Sequence, residues 1–246
     1  MELLKFIIFL NKRLFDRKAF FVFSFIACQF LSADGQELYM SSEVITLQNN
    51  KYVKVESVML FDINASNLVT HFTHPNEYYT INDEIGELKL YDPVSNKLIT
   101  KYDRSLSTSS SLVYLFLNGK SNDLGFKRIG FTLVNTRFED DMMISEWIPS
   151  NELLHIYSKV ELVSRNTQPI YCGYYNYEGV ITQKVYYSNY IKLKNVNFPQ
   201  LLTSINYSSE SDSTVIRTKY FDIKEGSNLA PELKQYKIPV GAILID

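Results

Sequence analysis

Glu87-Leu-Lys-Leu-Tyr-Asp-Pro-Val-Ser-Asn-Lys-Leu-Ile-Thr-Lys-Tyr102 is the stretch on which the fold turns. Leu88 and Leu90 alternate with Glu87, Lys89 and Tyr91, the period of a half-buried strand. Asp92-Pro93 stops that strand, and Lys97–Tyr102 returns as its hairpin partner. The same grammar extends in both directions. Upstream, Val44–Leu47 ends at Asn49-Asn50, and Leu38–Leu47 as a whole reads as a strand or short irregular piece. Tyr52–Phe61 sets Val53, Val55, Met59 and Phe61 on one face. Leu68–Phe72 follows the turn Asp62–Asn67, and Tyr78–Ile81 leads to a turn around Asn82-Asp83 and Gly86.

Downstream comes the one helical candidate. Ser107–Ser111 offers N-cap residues, Leu112–Leu117 is apolar, and Asn118-Gly119 supplies a stop. Strands then resume. Ile129–Leu133 alternates with Ile129, Phe131 and Leu133 together, and Met142–Ile148 carries Trp147 before Pro149. Leu154–Val163 and Ile170–Tyr177 suggest a long hairpin, with His155 in its first strand. Ile181–Leu193 is Tyr-rich, Leu201–Tyr207 and Thr214–Ile223 flank a polar turn, and the tail Tyr236–Gly241 is short and extended. Ten to twelve strands at this spacing predict one curved or barrel-like antiparallel sheet.

The composition agrees. The chain of 246 residues has 18 Tyr and 16 Phe but only 9 Gly and 7 Pro, and 46% of it is hydrophobic. That is enough to bury a large core, which excludes global disorder. A net charge of −2 without a basic block argues against a nucleic-acid partner. Two cysteines exclude a disulfide scaffold and a Cys-rich zinc site.

Residues 1–35 read as a secretory signal peptide. A basic patch, Lys12, Arg13, Arg17 and Lys18, precedes the apolar run Ala19–Leu31, and small residues follow at Ser32–Gly35. Cleavage after Gly35 is expected, with a periplasmic destination. A buried helix or short anchor is the alternative. Phe25-Ile-Ala-Cys28 also resembles an imperfect lipoprotein box, so lipidation at Cys28, and with it an outer-membrane lipoprotein, stays open. Residues 1–35 carry five of the 25 Lys and Arg and three of the 27 Asp and Glu, so cleavage leaves a net of −4. It also leaves a single cysteine, Cys172, expected as a buried inert thiol.

Reactive constellations are scarce. His71 and His74 are spaced as on one helix face, but on a strand that ends at Pro75 they point apart, so no metal site is expected. Neither a nucleophile elbow nor a phosphate loop is present. Glu139-Asp140-Asp141 reads as a solvated turn, although a carboxylate pair for hydrolysis stays a rival reading. No catalytic residue and no cofactor is assigned, and the expectation is a non-enzyme. The aromatic crowd from Tyr171 to Tyr190 is explained first by β-propensity and second by a concave face for an apolar ligand. An outer-membrane barrel fits less well, because many strands are short or two-sided.

Three segments in order resemble the periplasmic lipoprotein carrier family, soluble chaperones that ferry lipoproteins to the outer membrane. The first is Pro75-x-x-Tyr78 with Gly86-Glu-Leu-Lys-Leu-Tyr-Asp-Pro93 before Asn96-Lys97. The second is the Ser-rich apolar helix at Ser107–Leu117, and the third is the close Tyr236-Lys-Ile-Pro-Val-Gly241. The resemblance implies a mainly β domain over residues 36–246, an unclosed antiparallel half-barrel under a short helical lid. It implies acylated lipoproteins or lipids as cargo, transfer partners at the inner and outer membranes, and a monomer. Phe61, Phe72, Leu90, Phe131 and Trp147 on strands, with Leu112 and Phe116 on the lid, are then the candidate cavity residues. The chain departs from the family in that Leu38–Leu47 reads as a strand or short irregular piece where the family usually opens with a helix, and in placing His74 where the family often has the Arg that latches the lid. The competing reading is a secreted or lipid-anchored β-sheet interaction module without a cavity.

Overall fold

The computed structural model describes residues 37–49, 51–193, 196–209 and 212–245. The expected leader and Cys28 lie outside these residues. Six strands come first: β1 (Glu37–Gln48), β2 (Lys51–Asp62), β3 (Asn67–His74), β4 (Tyr78–Asn82), β5 (Glu87–Asp92) and β6 (Lys97–Tyr102). An insert, residues 103–130, follows. It contains two 3₁₀ turns, Arg104–Leu106 and Thr108–Ser110, and then helix α1 (Leu112–Leu117). Seven more strands are β7 (Phe131–Glu139), β8 (Met142–Pro149), β9 (Tyr157–Arg165), β10 (Gln168–Asn176), β11 (Ile181–Leu193), β12 (Val196–Ser209) and β13 (Asp212–Gly226). The tail adds α2 (Pro231–Lys234) and β14 (Ile243–Ile245).

All the strands join one unclosed sheet in the order β14-β6-β5-β4-β3-β2-β1-β13-β12-β11-β10-β9-β8-β7. Short turns force successive strands to be antiparallel neighbours. Two meanders result, β1 to β6 and β7 to β13, joined where β13 pairs with β1. The chain leaves the first meander near one edge and enters the second at the other. The insert must therefore cross the sheet, and it does so over one face, here called the inner face. Among the described residues the strands number fourteen rather than ten to twelve. The excess comes from weakly patterned pieces such as β14, which pairs in parallel with β6.

Register carries the inner face across the sheet. Phe61, Met59, Val55 and Val53 pair with Leu38, Met40, Val44 and Thr46, so the expected one-sided face of β2 is present. Side chains alternate along each strand. By that alternation Phe72 and Leu90 share the face on β3 and β5, and Trp147 and Phe131 share it on β8 and β7.

Three local expectations are corrected. Ile129 is outside β7, because its N–H bonds back to the Gly125 and Phe126 carbonyls in a turn. His155 is not in a strand, because Leu153, Ile156 and Tyr157 donate to carbonyls three or four residues earlier and coil the segment before β9. The helix is not continuous from Ser107. Ser107 Oγ donates to the Glu84 carbonyl (2.6 Å), and the serine run closes two 3₁₀ turns instead. Serine hydroxyls compete in this way with helix formation. Ser111 is the actual N-cap, accepting from the Tyr114 N–H at 3.2 Å.

Candidate functional site

The inner face is apolar, and the insert lies on it. Leu38 and Met40 of β1, Phe61 of β2, Leu193 of β11 and Phe198 of β12 form a cluster with Val113 and Phe116 of α1. The Phe116 ring meets Phe198 edge-on at 5.8 Å, and Tyr114 meets Phe61 edge-on at 6.4 Å. A second cluster lies under the later part of the insert. Phe126 packs on Phe131 at 5.8 Å, on Trp147 at 5.7 Å and on Tyr174 at 6.2 Å. Val160, Leu162, Cys172, Val185 and Tyr187 complete it, and Leu112 and Leu124 touch both clusters.

Polar groups in this region are either paired or neutral. Trp147 Nε1 donates to Ser145 Oγ at 3.0 Å, and that hydroxyl donates to the Leu162 carbonyl at 3.2 Å. Burial pushes the Cys172 thiol up to about 12 and raises the hydroxyls of Tyr174 and Tyr187 well above their usual value. A thiol held in this state has no nucleophilic anion near neutral pH. His71 is used structurally, stacking on Tyr79 at 4.2 Å and pairing with Glu77 at 3.0 Å. His74 ends β3 exposed, and among the described residues no hydrogen bond joins it to the insert.

The insert is fastened at its start. Asp103 N–H donates to the Gly86 carbonyl (3.0 Å) and Thr108 N–H to that of Asp83 (2.9 Å). Asn82 Nδ2 donates to the Leu106 carbonyl at 3.1 Å, and Thr108 Oγ1 donates to that of Ser66 at 2.6 Å. Gly86 permits this approach. Its φ is +96°, and a Cβ there would lie 2.3 Å from the Asp103 carbonyl oxygen.

Two cavities flank the insert. One, of about 390 Å³, lies between Lys120, Asn122, Asp123 and Lys127 of the insert and Leu133, Met143 and Trp147 of the sheet. The other is a groove of about 720 Å³ between the 3₁₀ turns, the β4–β5 turn and residues 128–130 and 150–153. Both fall in the usual range for small-ligand sites, about 300–1,000 Å³.

All the candidate strand residues lie on the inner face, yet they do not surround one open hollow. Phe61 and Phe116 are in the first cluster, Phe131 and Trp147 in the second, and Leu112 bridges the two. Phe72 and Leu90 lie farther out and are half-buried. Of these residues, Trp147 alone borders either cavity. The larger groove was missed by sequence reasoning. Its signal is Arg104 standing beside the serine run Ser107–Ser111, which by itself reads as helix capping.

The chain has the fold of the LolA superfamily. A LolA superfamily protein from Nitrosomonas europaea superposes with a TM-score of 0.54 at 13% identity, over 81% of this chain and 90% of that one. A domain assigned as an outer membrane lipoprotein-sorting protein from Vibrio parahaemolyticus gives 0.54 at 10% identity, over 83% and 91%. A DUF1329 family protein from Desulfovibrio piger gives 0.55 at 11% identity, over 84% and 92%. No protein-family model matches the sequence, and no curated protein matches it. At these identities the likeness is one of fold. It agrees with the resemblance carried by the Tyr-Asp-Pro turn, the Ser-rich helix and the closing Ile-Pro-x-Gly.

Proposed function

We propose that the protein is a periplasmic carrier that holds the acyl chains of lipoproteins or lipids on its inner face and delivers them towards the outer membrane. The observation behind this reading is that the apolar face of an unclosed sheet is covered by a crossing segment instead of a second sheet. Apolar packing is non-directional, so an acyl chain can replace the contacts that α1 makes. Each buried CH₂ contributes about 0.8 kcal/mol, enough to make water crossing costly for a bare chain. The 390 Å³ cavity beside Trp147 is the starting point, and movement of the insert exposes Leu112, Phe116, Phe61 and Phe131. Phe72 and Leu90 extend the surface. Catalysis has no role in this scheme.

The rival is an interaction module that keeps its interior filled by its own aromatics. The edge strand β7, with Phe138 77% exposed, is the feature that favours it. Trp147, the only tryptophan, separates the two. A fatty acid brominated along its chain is expected to quench Trp147 emission, and native extraction is expected to yield bound acyl species. No quenching and no extracted lipid would reject the carrier reading.

A further inference from the structure

The 720 Å³ groove is chemically unlike the inner face. Arg104, Arg128, Glu84 and Glu152 line it with the hydroxyls of Ser105, Ser107, Ser109, Ser110 and Ser150. Arg128 spends two donors on neutral partners, Nη1 on Ser109 Oγ and Nη2 on Ser110 Oγ (2.7 Å). Among the described residues the Arg104 side chain makes no hydrogen bond or ion pair. A guanidinium presents five N–H donors, so both arginines keep capacity for an anion with several acceptor oxygens. The carboxylates balance the guanidiniums, which disfavours a free dianion and suits a ligand carrying both signs. Ile85 and Ile129 stand exposed in the same lining, at 76% and 50%, and give it an apolar lip.

We propose that this groove binds a zwitterionic phosphate head group of the ethanolamine type, with Arg104 and Arg128 on the phosphate and Glu84 and Glu152 on the ammonium. The apolar lip then receives the start of the attached chains. The proposal deepens the carrier reading by naming the amphiphile, and it rests on that reading only for the acyl part. Because Arg128 holds the second 3₁₀ turn through Ser109 and Ser110, a phosphate that engages it also loosens one contact within the insert.

Two probes separate head group from chain. Glycerophosphoethanolamine carries no acyl chain, and a fluorescent fatty acid carries no phosphate. NMR titration of the protein with glycerophosphoethanolamine is expected to shift signals of residues 104–110 and 128–130. Arg104→Ala is expected to weaken that binding about tenfold, the scale of one lost charge-assisted hydrogen bond, without changing the fatty-acid probe. Among the described residues the Arg104 side chain bonds to no other group, and its backbone bonds survive the substitution, so this variant keeps the fold; an unchanged thermal midpoint checks it. Inorganic phosphate is expected to bind more weakly than the zwitterion. Absence of shifts, binding indifferent to Arg104→Ala, or equal binding of inorganic phosphate would overturn the proposal while fatty-acid binding stood. The reverse pattern, head-group binding without fatty-acid binding, would support the groove and reject the carrier.

Discussion

Two segments cover the sheet, one on each face, and they are held by different physics. The insert lies on the inner face through Val113, Phe116, Leu112, Leu124 and Phe126, with its directional bonds to the rest of the chain gathered at its two ends, residues 103–108 and Gly130. The tail lies on the outer face under Leu60 and is pinned along its length. Glu37 is buried and accepts from the Leu229 N–H at 2.9 Å and from Lys234 Nζ at 2.5 Å. Tyr236 stacks on Tyr79 at 3.9 Å and 8°, Asn96 donates to the Gly241 carbonyl at 2.9 Å, and β14 adds a strand to β6. Directional contacts specify one position. Apolar contacts specify only that something apolar be there. A cover held by apolar contacts is therefore easier to displace than one held by directional bonds.

The largest blow to the insert is Phe116→Ala. Removing a ring that is 2% exposed is expected to cost about 3–5 kcal/mol, read by urea denaturation. If the cost is below about 1 kcal/mol, α1 is not packed as described. Next comes Gly86→Ala, which adds about 1–3 kcal/mol of backbone strain at φ +96° besides the clash with Asp103. Hydrogen exchange is expected to accelerate at 103–111 and stay slow at 229–236; equal acceleration in both would erase the distinction. Glu37→Gln breaks the tail instead, at about 1–2 kcal/mol for the lost charged hydrogen bond. It is expected to loosen α2 while leaving fatty-acid binding unchanged.

The smallest effect is a pH dependence. Burial opposes ionisation of Glu37, but the hydrogen bond from Lys234, the Leu229 N–H and the nearby positive charge outweigh it and lower its pKa. The hydrogen bond to Glu37 raises that of Lys234. A lowered carboxyl contributes stability above its unfolded pKa and loses it as pH falls through the folded one. A raised amine contributes below its unfolded pKa and loses it as pH rises through the folded one. The midpoint difference between the native chain and Glu37→Gln should therefore be widest near neutrality and shrink in acid and in strong alkali. A difference that stays flat from acid to alkali would contradict the pairing.

Much of the fold was legible in the sequence. Alternation at Leu88 and Leu90, and at Val53 through Phe61, identified strands and the face they share. Ser111 before Leu112–Leu117 marked the helix, and an apolar setting marked Cys172 as buried, as found at 0% exposure. Less was legible where pattern is weak. Ile129 and His155 look like strand residues, but backbone bonds three to five residues back curl both segments into turns. Pro231–Lys234 and Ile243–Ile245 are too short for any periodicity. The groove joins residues 84, 104, 128 and 150, whose proximity no local pattern encodes.

The sequence by itself determined the β class, the hairpin order and the apolar face, because strand alternation and turn chemistry act over a few residues. Only the tertiary structure decided that α1 fills that face, that the tail locks the other, and that Arg104 and Arg128 share a groove. Those outcomes depend on which edge the insert leaves and which it reaches, a consequence of pairing β1 with β13 across most of the chain.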